Sequence, residues 1–145
     1  MKVKLIQVLE TIREHNDGVL MPGDVVEAAR PDDSPLHTRF EWDDGKASKN
    51  YRLWQARQLI SLMVTEMSSE KKSYDVRTYI SLTTDRIEGG YRLITNILEN
   101  QGMRRQMVVD ALSELRTFRV KYGKLNELAK VFAAMEEVEE EVQGS

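Results

Sequence analysis

Nine apolar residues toward the end of the chain succeed one another at steps of 4, 3, 3, 4, 3, 3, 4 and 3: Val108, Leu112, Leu115, Phe118, Tyr122, Leu125, Leu128, Phe132 and Met135. Only a helix lines up such a stripe, and the spacing lies close to the roughly 3.5-residue period of a seam between helices. Gly123 interrupts the stripe, which costs about 1 kcal/mol relative to Ala inside a helix. Two architectures satisfy it: one long helix, or an antiparallel pair that turns at Gly123. One helix cannot bury such a face by itself. Leu112, Leu115, Phe118, Tyr122, Leu125, Leu128 and Phe132 are therefore the expected dimerisation seam of a homodimer.

The chain before it carries shorter signals. A helix is expected from about Val3 to Glu14, with Leu5, Val8, Leu9 and Ile12 on one face, ended by Asn16-Asp17-Gly18. Val19-Leu20-Met21 is too short for a helix. Pro22 suits the first turn of a second helix carrying Val25, Val26, Ala28 and Ala29, which Arg30-Pro31 stops. Asp33-Ser34-Pro35 opens a short helix through His37 and Phe40. Asp43-Asp44-Gly45 ends it and caps a further helix from about Lys46 to Ile60. The period then changes. Leu62 to Met67 and Val76 to Leu82 are rich in β-branched and aromatic residues, and Val76, Thr78, Ile80 and Leu82 alternate as on a strand. Ser68 to Ser73 is the expected hairpin tip. Gly89-Gly90 marks a boundary, and from Tyr91 onward the chain reads as helical, with Leu93, Ile94, Ile97 and Leu98 on one helix.

The expected fold is therefore α+β and mostly helical. Residues 1–88 form a winged-helix-like domain with a β-hairpin, and residues 89–145 a coiled-coil-like helical region with an acidic tail. The element order is that of a winged-helix domain with one additional helix before the wing, and fold by itself does not establish function.

Charge narrows the classes of function. The 145 residues are 41% hydrophobic and 31% charged, with a net charge of −3. No stretch approaches the roughly 20 apolar residues of a bilayer crossing. The first residues lack the apolar run and cleavage site of a signal peptide, so no membrane association and a cytoplasmic location in a bacterial host are expected. There is no Cys, which excludes disulfides and thiolate metal sites. The charges are also segregated. Asp17 to Asp44 holds eight acids against two arginines, and the last ten residues hold five Glu and no base. Lys46 to Thr84 holds seven bases against three acids.

The densest run of unusual residues is Ser34-Pro35-Leu36-His37, then Phe40-Glu41-Trp42-Asp43-Asp44, then Tyr51-Arg52-Leu53-Trp54-Gln55-Ala56-Arg57-Gln58-Leu59-Ile60. It resembles small uncharacterised proteins of phages and prophages that share S-P-L-H, F-E-W-D-D and Y-R-L-x-Q-A-R-x-L-I patterns. The resemblance extends more weakly to Ile80-Ser81-Leu82, Gly90-Tyr91-Arg92 and Leu128 to Phe132. It implies a phage or prophage origin and carries no activity or site.

Chemistry-bearing sets are sparse. His37 and Glu41, four apart and followed by Asp43 and Asp44, could present metal ligands on one helical face, but the other His, His15, is remote. A capping network is the favoured reading, with no metal and no cofactor. His37 beside Thr38 or Ser34 is sequence proximity rather than a nucleophile–base arrangement, and Gly89-Gly90 lacks the rest of a phosphate loop. No enzyme is expected. On the Lys46–Ile60 helix, Ala47, Tyr51, Trp54 and Leu62 form one apolar row and Leu53, Ala56 and Ile60 another. That pattern predicts a helix sandwiched in the core, with Trp42, Tyr51 and Trp54 buried and Lys46, Lys49 and Arg57 at its edges.

The expected function is double-stranded DNA binding by a non-enzymatic regulator or DNA-organising accessory. Contacts would come from Lys46, Lys49 and Arg57 along the helix and from Lys71, Lys72 and Arg77 on the hairpin. The acidic stretch Asp17–Asp44 opposes phosphate. The alternative is an adaptor or inhibitor that uses its acidic surfaces to bind a host or phage protein.

Overall fold

The computed structural model describes residues 2–44 and 48–144, an α+β chain that is mostly helical. It divides into two compact units, Met1–Glu99 and Asn100–Ser145. In the first unit, α1 (Lys2–Glu14) and α2 (Pro22–Ala29) are followed by a 3-10 turn, His37–Arg39, and by α3 (Lys49–Leu62). Strands β1 (Val64–Ser68), β2 (Ser73–Arg77), β3 (Tyr79–Ile80) and β4 (Arg92–Leu93) precede α4 (Ile94–Glu99). Leu5 and Leu9 of α1, Val25, Val26 and Ala29 of α2, and Ala56, Leu59 and Ile60 of α3 meet in one core. Leu20, Leu36, Phe40, Met63 and Tyr79 complete it. Each such aliphatic side chain, fully buried, stabilises the fold by about 1.5–3 kcal/mol.

The strands form two small antiparallel ladders. β1 pairs with β2 from Val64↔Arg77 to Ser68↔Ser73, and β3 pairs with β4 as Tyr79↔Leu93 and Ile80↔Arg92. The expected single strand from Val76 to Leu82 is thus two. It breaks at Thr78, whose amide donates to the Met63 carbonyl while its own carbonyl accepts from the Ile94 amide. The chain after Tyr91 is also not helical at once. Leu20 and Tyr91 exchange both backbone hydrogen bonds, at 2.8 and 2.9 Å, so residues 91–93 belong to the sheet edge. Gly90 permits that approach, because a Cβ there would lie 2.5 Å from Cγ1 of Val19. The division between units accordingly falls after Glu99, beyond the expected residue 88.

The second unit is a helical hairpin: α5 (Gln101–Tyr122), a turn with a 3-10 segment at Asn126–Leu128, and α6 (Ala129–Gln143). Asn100 caps α5 by accepting from the Met103 amide at 2.9 Å. Of the two architectures the heptad-like stripe allowed, the antiparallel pair is the one formed. Leu112, Phe132 and Met135 are buried, and Phe118 packs on Phe132 at 6.2 Å between centroids. Arg116–Glu139 and Arg119–Glu136 join the two helices at 3.1 and 3.3 Å. Leu115, Phe118 and Leu125, expected in the seam, stay exposed, while Tyr122 and Leu128 are half-buried.

Candidate nucleic-acid interface

α3 begins one turn later than its sequence suggests. Ser48 is its N-cap, the side-chain oxygen accepting from the Tyr51 amide at 3.4 Å. Asp44, expected to close this helix, instead binds the guanidinium of Arg52 at 2.7 Å. The buried residues of α3 are Arg52, Ala56, Leu59 and Ile60. A single inward row leaves the other apolar row outside: Tyr51 is 44% exposed, Trp54 50% and Leu62 56%. The expected sandwiching of this helix is therefore wrong. One face packs on the core, and the opposite face carries aromatic rings to the surface. Tyr51 and Trp54 stack there, with ring centroids 5.7 Å apart and planes within 19°.

Trp42 behaves differently and is half-buried. Its ring lies parallel to His37, centroids 5.1 Å apart and planes 7° apart, and its indole N–H donates to the His37 carbonyl at 2.8 Å. The guanidinium carbons of Arg30 and Arg52 lie 5.5 and 5.7 Å from its centroid, within the range of cation–π attraction. Nδ1 of His37 is 2.9 Å from the Ala29 carbonyl, so this nitrogen carries the proton and donates. Arg52 also donates to the Glu41 carbonyl at 3.3 Å, and the Gln55 side chain accepts from the Glu41 amide at 3.1 Å. The three motif segments thus fasten the 37–44 chain across the end of α2 and the flank of α3. One result is that Arg39 lines two shallow grooves beside α3. One is shared with Thr38, Phe40, Glu41, Tyr51 and Gln55, the other with Trp54, Gln55, Gln58, Leu59 and Leu62.

The six basic residues expected to meet DNA fall into separate groups. Lys46 lies outside the described residues, as does Ala47. Lys49 stands exposed at the start of α3, and Arg57 is exposed beside Trp54. Lys71 and Lys72 occupy the exposed tip of the β1–β2 hairpin. Arg77 is exposed but not a partner of that tip. Cross-strand pairing sets Glu66 directly opposite Asp75, and strand alternation puts Arg77 on the same face as both. Ser73 donates to Glu66 across that face. The hairpin is therefore basic at its tip and acidic on the Arg77 face.

α3 differs from the other long helices of the chain in its charge. Its fourteen residues, KNYRLWQARQLISL, include two exposed cations and not one carboxylate, in a chain whose net charge is −3. The missed surface residues are Tyr51, Trp54 and Arg39. The sequence signal for Tyr51 and Trp54 is this local absence of acids around aromatics; Arg39 stands among acids in the sequence and carries no such signal.

Elsewhere, polar groups are tied into the fold. Arg92 and Asp85 make a bidentate pair at 2.8–3.0 Å, which raises the arginine pKa. Tyr79 donates to Glu10 at 2.9 Å, and Glu10 also receives Arg13 at 2.9 and 3.0 Å. Burial first, and then this bond to Glu10, push the Tyr79 phenol well above its ordinary value. His37 Nε2 approaches Asp32 at 3.5 Å. Among the described residues no group of three or more His, Asp or Glu could hold a metal ion, and no helix is long and apolar enough to cross a membrane. No family model, curated protein or solved structure matches the chain.

Proposed function

We propose that the protein is a non-enzymatic DNA-binding factor, a regulator or DNA-organising accessory of phage or prophage origin. The observation that carries this reading is α3 itself, which carries Arg57 beside the exposed Tyr51 and Trp54, Lys49 at its exposed start, and no carboxylate, in a chain of net charge −3. Phosphate contacts supply most non-specific affinity for nucleic acid, and they need local positive charge rather than positive net charge. In a winged-helix reading, α1, α2 and α3 are the helical core, α3 takes the recognition position and the β1–β2 hairpin is the wing, with Lys71 and Lys72 at its tip. Lys49, Arg57, Lys71 and Lys72 are the proposed phosphate contacts. Arg77 is the weakest of the expected set because Glu66 and Asp75 share its face.

The second unit is proposed to pair two copies. Among its described residues three apolar side chains are buried, while Val109, Leu115, Phe118, Val120, Leu125, Val131 and Val138 remain exposed. α5 is predominantly basic and α6 predominantly acidic, so a two-fold arrangement that sets one against the other is self-complementary.

Retention on immobilised heparin and on duplex DNA, reversed by salt, tests the DNA reading. An adaptor or inhibitor that binds a host or phage protein is the second reading. It is favoured by the exposure of Asp17, Asp24, Asp32 and Asp33 in the acidic stretch, and it requires the protein to pass through both columns.

A further inference from the structure

We infer that the Tyr51–Trp54 pair on α3 is a stacking platform for unpaired nucleobases, so that this surface takes single-stranded nucleic acid in addition to duplex. The site presupposes the nucleic-acid role proposed above and names the form of nucleic acid that fills it. At 100° per residue, Tyr51, Trp54 and Arg57 descend the outer face of α3 as a diagonal row, each about 60° and 4.5 Å from the last. The two rings already lie nearly parallel, 5.7 Å between centroids. Arg57 flanks Trp54 on one side of this row, and Arg39 lines the grooves on the other.

Half-exposed stacked aromatics on a helix surface are costly to leave against water, and three chemistries could cover them. A core contact is excluded, because the opposite face of α3 already packs inward. A protein partner would also use Tyr, Trp and Arg. The charge favours a polyanion. α3 itself has no acid, and Glu41 is the carboxylate among the residues lining the two grooves, against Arg39. Rings flanked by cations are the pairing a single strand needs: bases stack on the aromatics while phosphates meet the guanidinium groups of Arg57 and Arg39. A base inside a duplex has both faces covered by its neighbours, so a stacking platform selects strands whose bases are open. The amides of Asn50 and Gln58, exposed on the same helix, can bond base edges without imposing a charge.

The test is fluorescence anisotropy of the full chain with a labelled oligo-dT and with a duplex of equal length, each at low and raised salt. The parent should bind oligo-dT. Trp54→Ala and Tyr51→Ala should each weaken that binding about ten-fold, within the range for losing one base–aromatic stack. Trp54→Phe should retain most of it, and Arg57→Ala should flatten the salt slope on the single strand by about 0.7. Because Trp54 is half outside the core, circular dichroism of the variants should match the parent. Quenching of the parent's tryptophan emission by oligo-dT gives a readout that needs no variant. Equal single-strand affinity for parent and Trp54→Ala overturns the platform. Binding of duplex alone overturns it while leaving the DNA-binding function standing. Binding of neither form removes both and assigns the aromatic face to a protein partner.

Discussion

Arg52 and Asp44 form an ion pair at 2.7 Å in which the arginine side chain is 9% exposed and the aspartate 84%. The asymmetry decides what each partner contributes. Solvent screens the carboxylate, so the Coulombic share of the pair is small. The guanidinium is enclosed. It sits against Trp42, donates to the Glu41 carbonyl and fills space between α3 and the 37–44 segment. Asp44→Asn should therefore cost under about 1 kcal/mol, whereas Arg52→Ala should cost about 2–4 kcal/mol through lost packing and an unsatisfied carbonyl. Urea unfolding of the two variants checks this. Equal losses would show that the exposed pair, rather than the enclosed guanidinium, holds the segment.

Tyr79, Glu10 and Arg13 predict an alkaline limit to stability. The phenol is neutral when it donates to Glu10, and the fold raises its pKa above the ordinary value of 10.0. A raised folded-state pKa means the contribution is complete below about pH 10 and is lost as pH rises past the unfolded value. Stability should fall as pH rises above about 10, while Tyr79 stays protonated in the folded protein to higher pH. Tyr79→Phe should cost about 1 kcal/mol at neutral pH and reduce the alkaline decline. An unchanged alkaline profile in that variant would assign the decline to other groups.

Gly90 gives a steric prediction. Gly90→Ala places a methyl group 2.5 Å from Val19 Cγ1, beside the Leu20–Tyr91 bridge. Val19 must leave its rotamer or shift with the strand edge to relieve the overlap, so a loss of about 1–3 kcal/mol is expected. Amide exchange at Leu20 and Tyr91 should accelerate more than exchange in α1. A variant as stable as the parent would mean that this edge is plastic.

These sites also show how far the residues announce the fold. Asn16-Asp17-Gly18, Pro22 and Arg30-Pro31 mark helix limits that the chain obeys, because each acts on its own backbone. The Leu20–Tyr91 bridge joins two single residues far apart in sequence, and a one-residue ladder has no period to read. The two apolar rows of α3 suggested burial on both sides, yet periodicity reports that a face is apolar and not what covers it. Tyr51 and Trp54 therefore read as core in the sequence and stand at the surface in the fold. Asp44 looked like a cap because capping is the commonest local use of an acid before a helix. Its actual partner, Arg52, lies eight residues on and becomes visible only once α3 folds. The heptad-like steps run on through Gly123 because two helices that face each other need the same spacing as one helix with a distant partner.

Self-association follows from the second unit. A stable homodimer should bury at least about 1,000 Å² in total, drawn from the exposed apolar residues of α5 and α6. Sedimentation equilibrium at tens of micromolar should return a dimer, and Leu115→Ser with Val138→Ser should shift it toward monomer without unfolding the first unit. A monomeric parent would leave these side chains without the proposed partner.

The central claim is that local positive charge on the first unit holds nucleic acid despite the acidic whole. Its most direct test is the salt dependence of duplex binding for the parent and for Lys49→Ala/Arg57→Ala and Lys71→Ala/Lys72→Ala. Log affinity should fall linearly with log salt for the parent. Each phosphate contact removed should lower the slope by about 0.9, similarly across DNA sequences. Both double variants should keep the parent's thermal stability, since the four side chains are exposed. A parent that shows no binding at low salt, or variants with an unchanged slope, would contradict the account and favour the protein-binding adaptor.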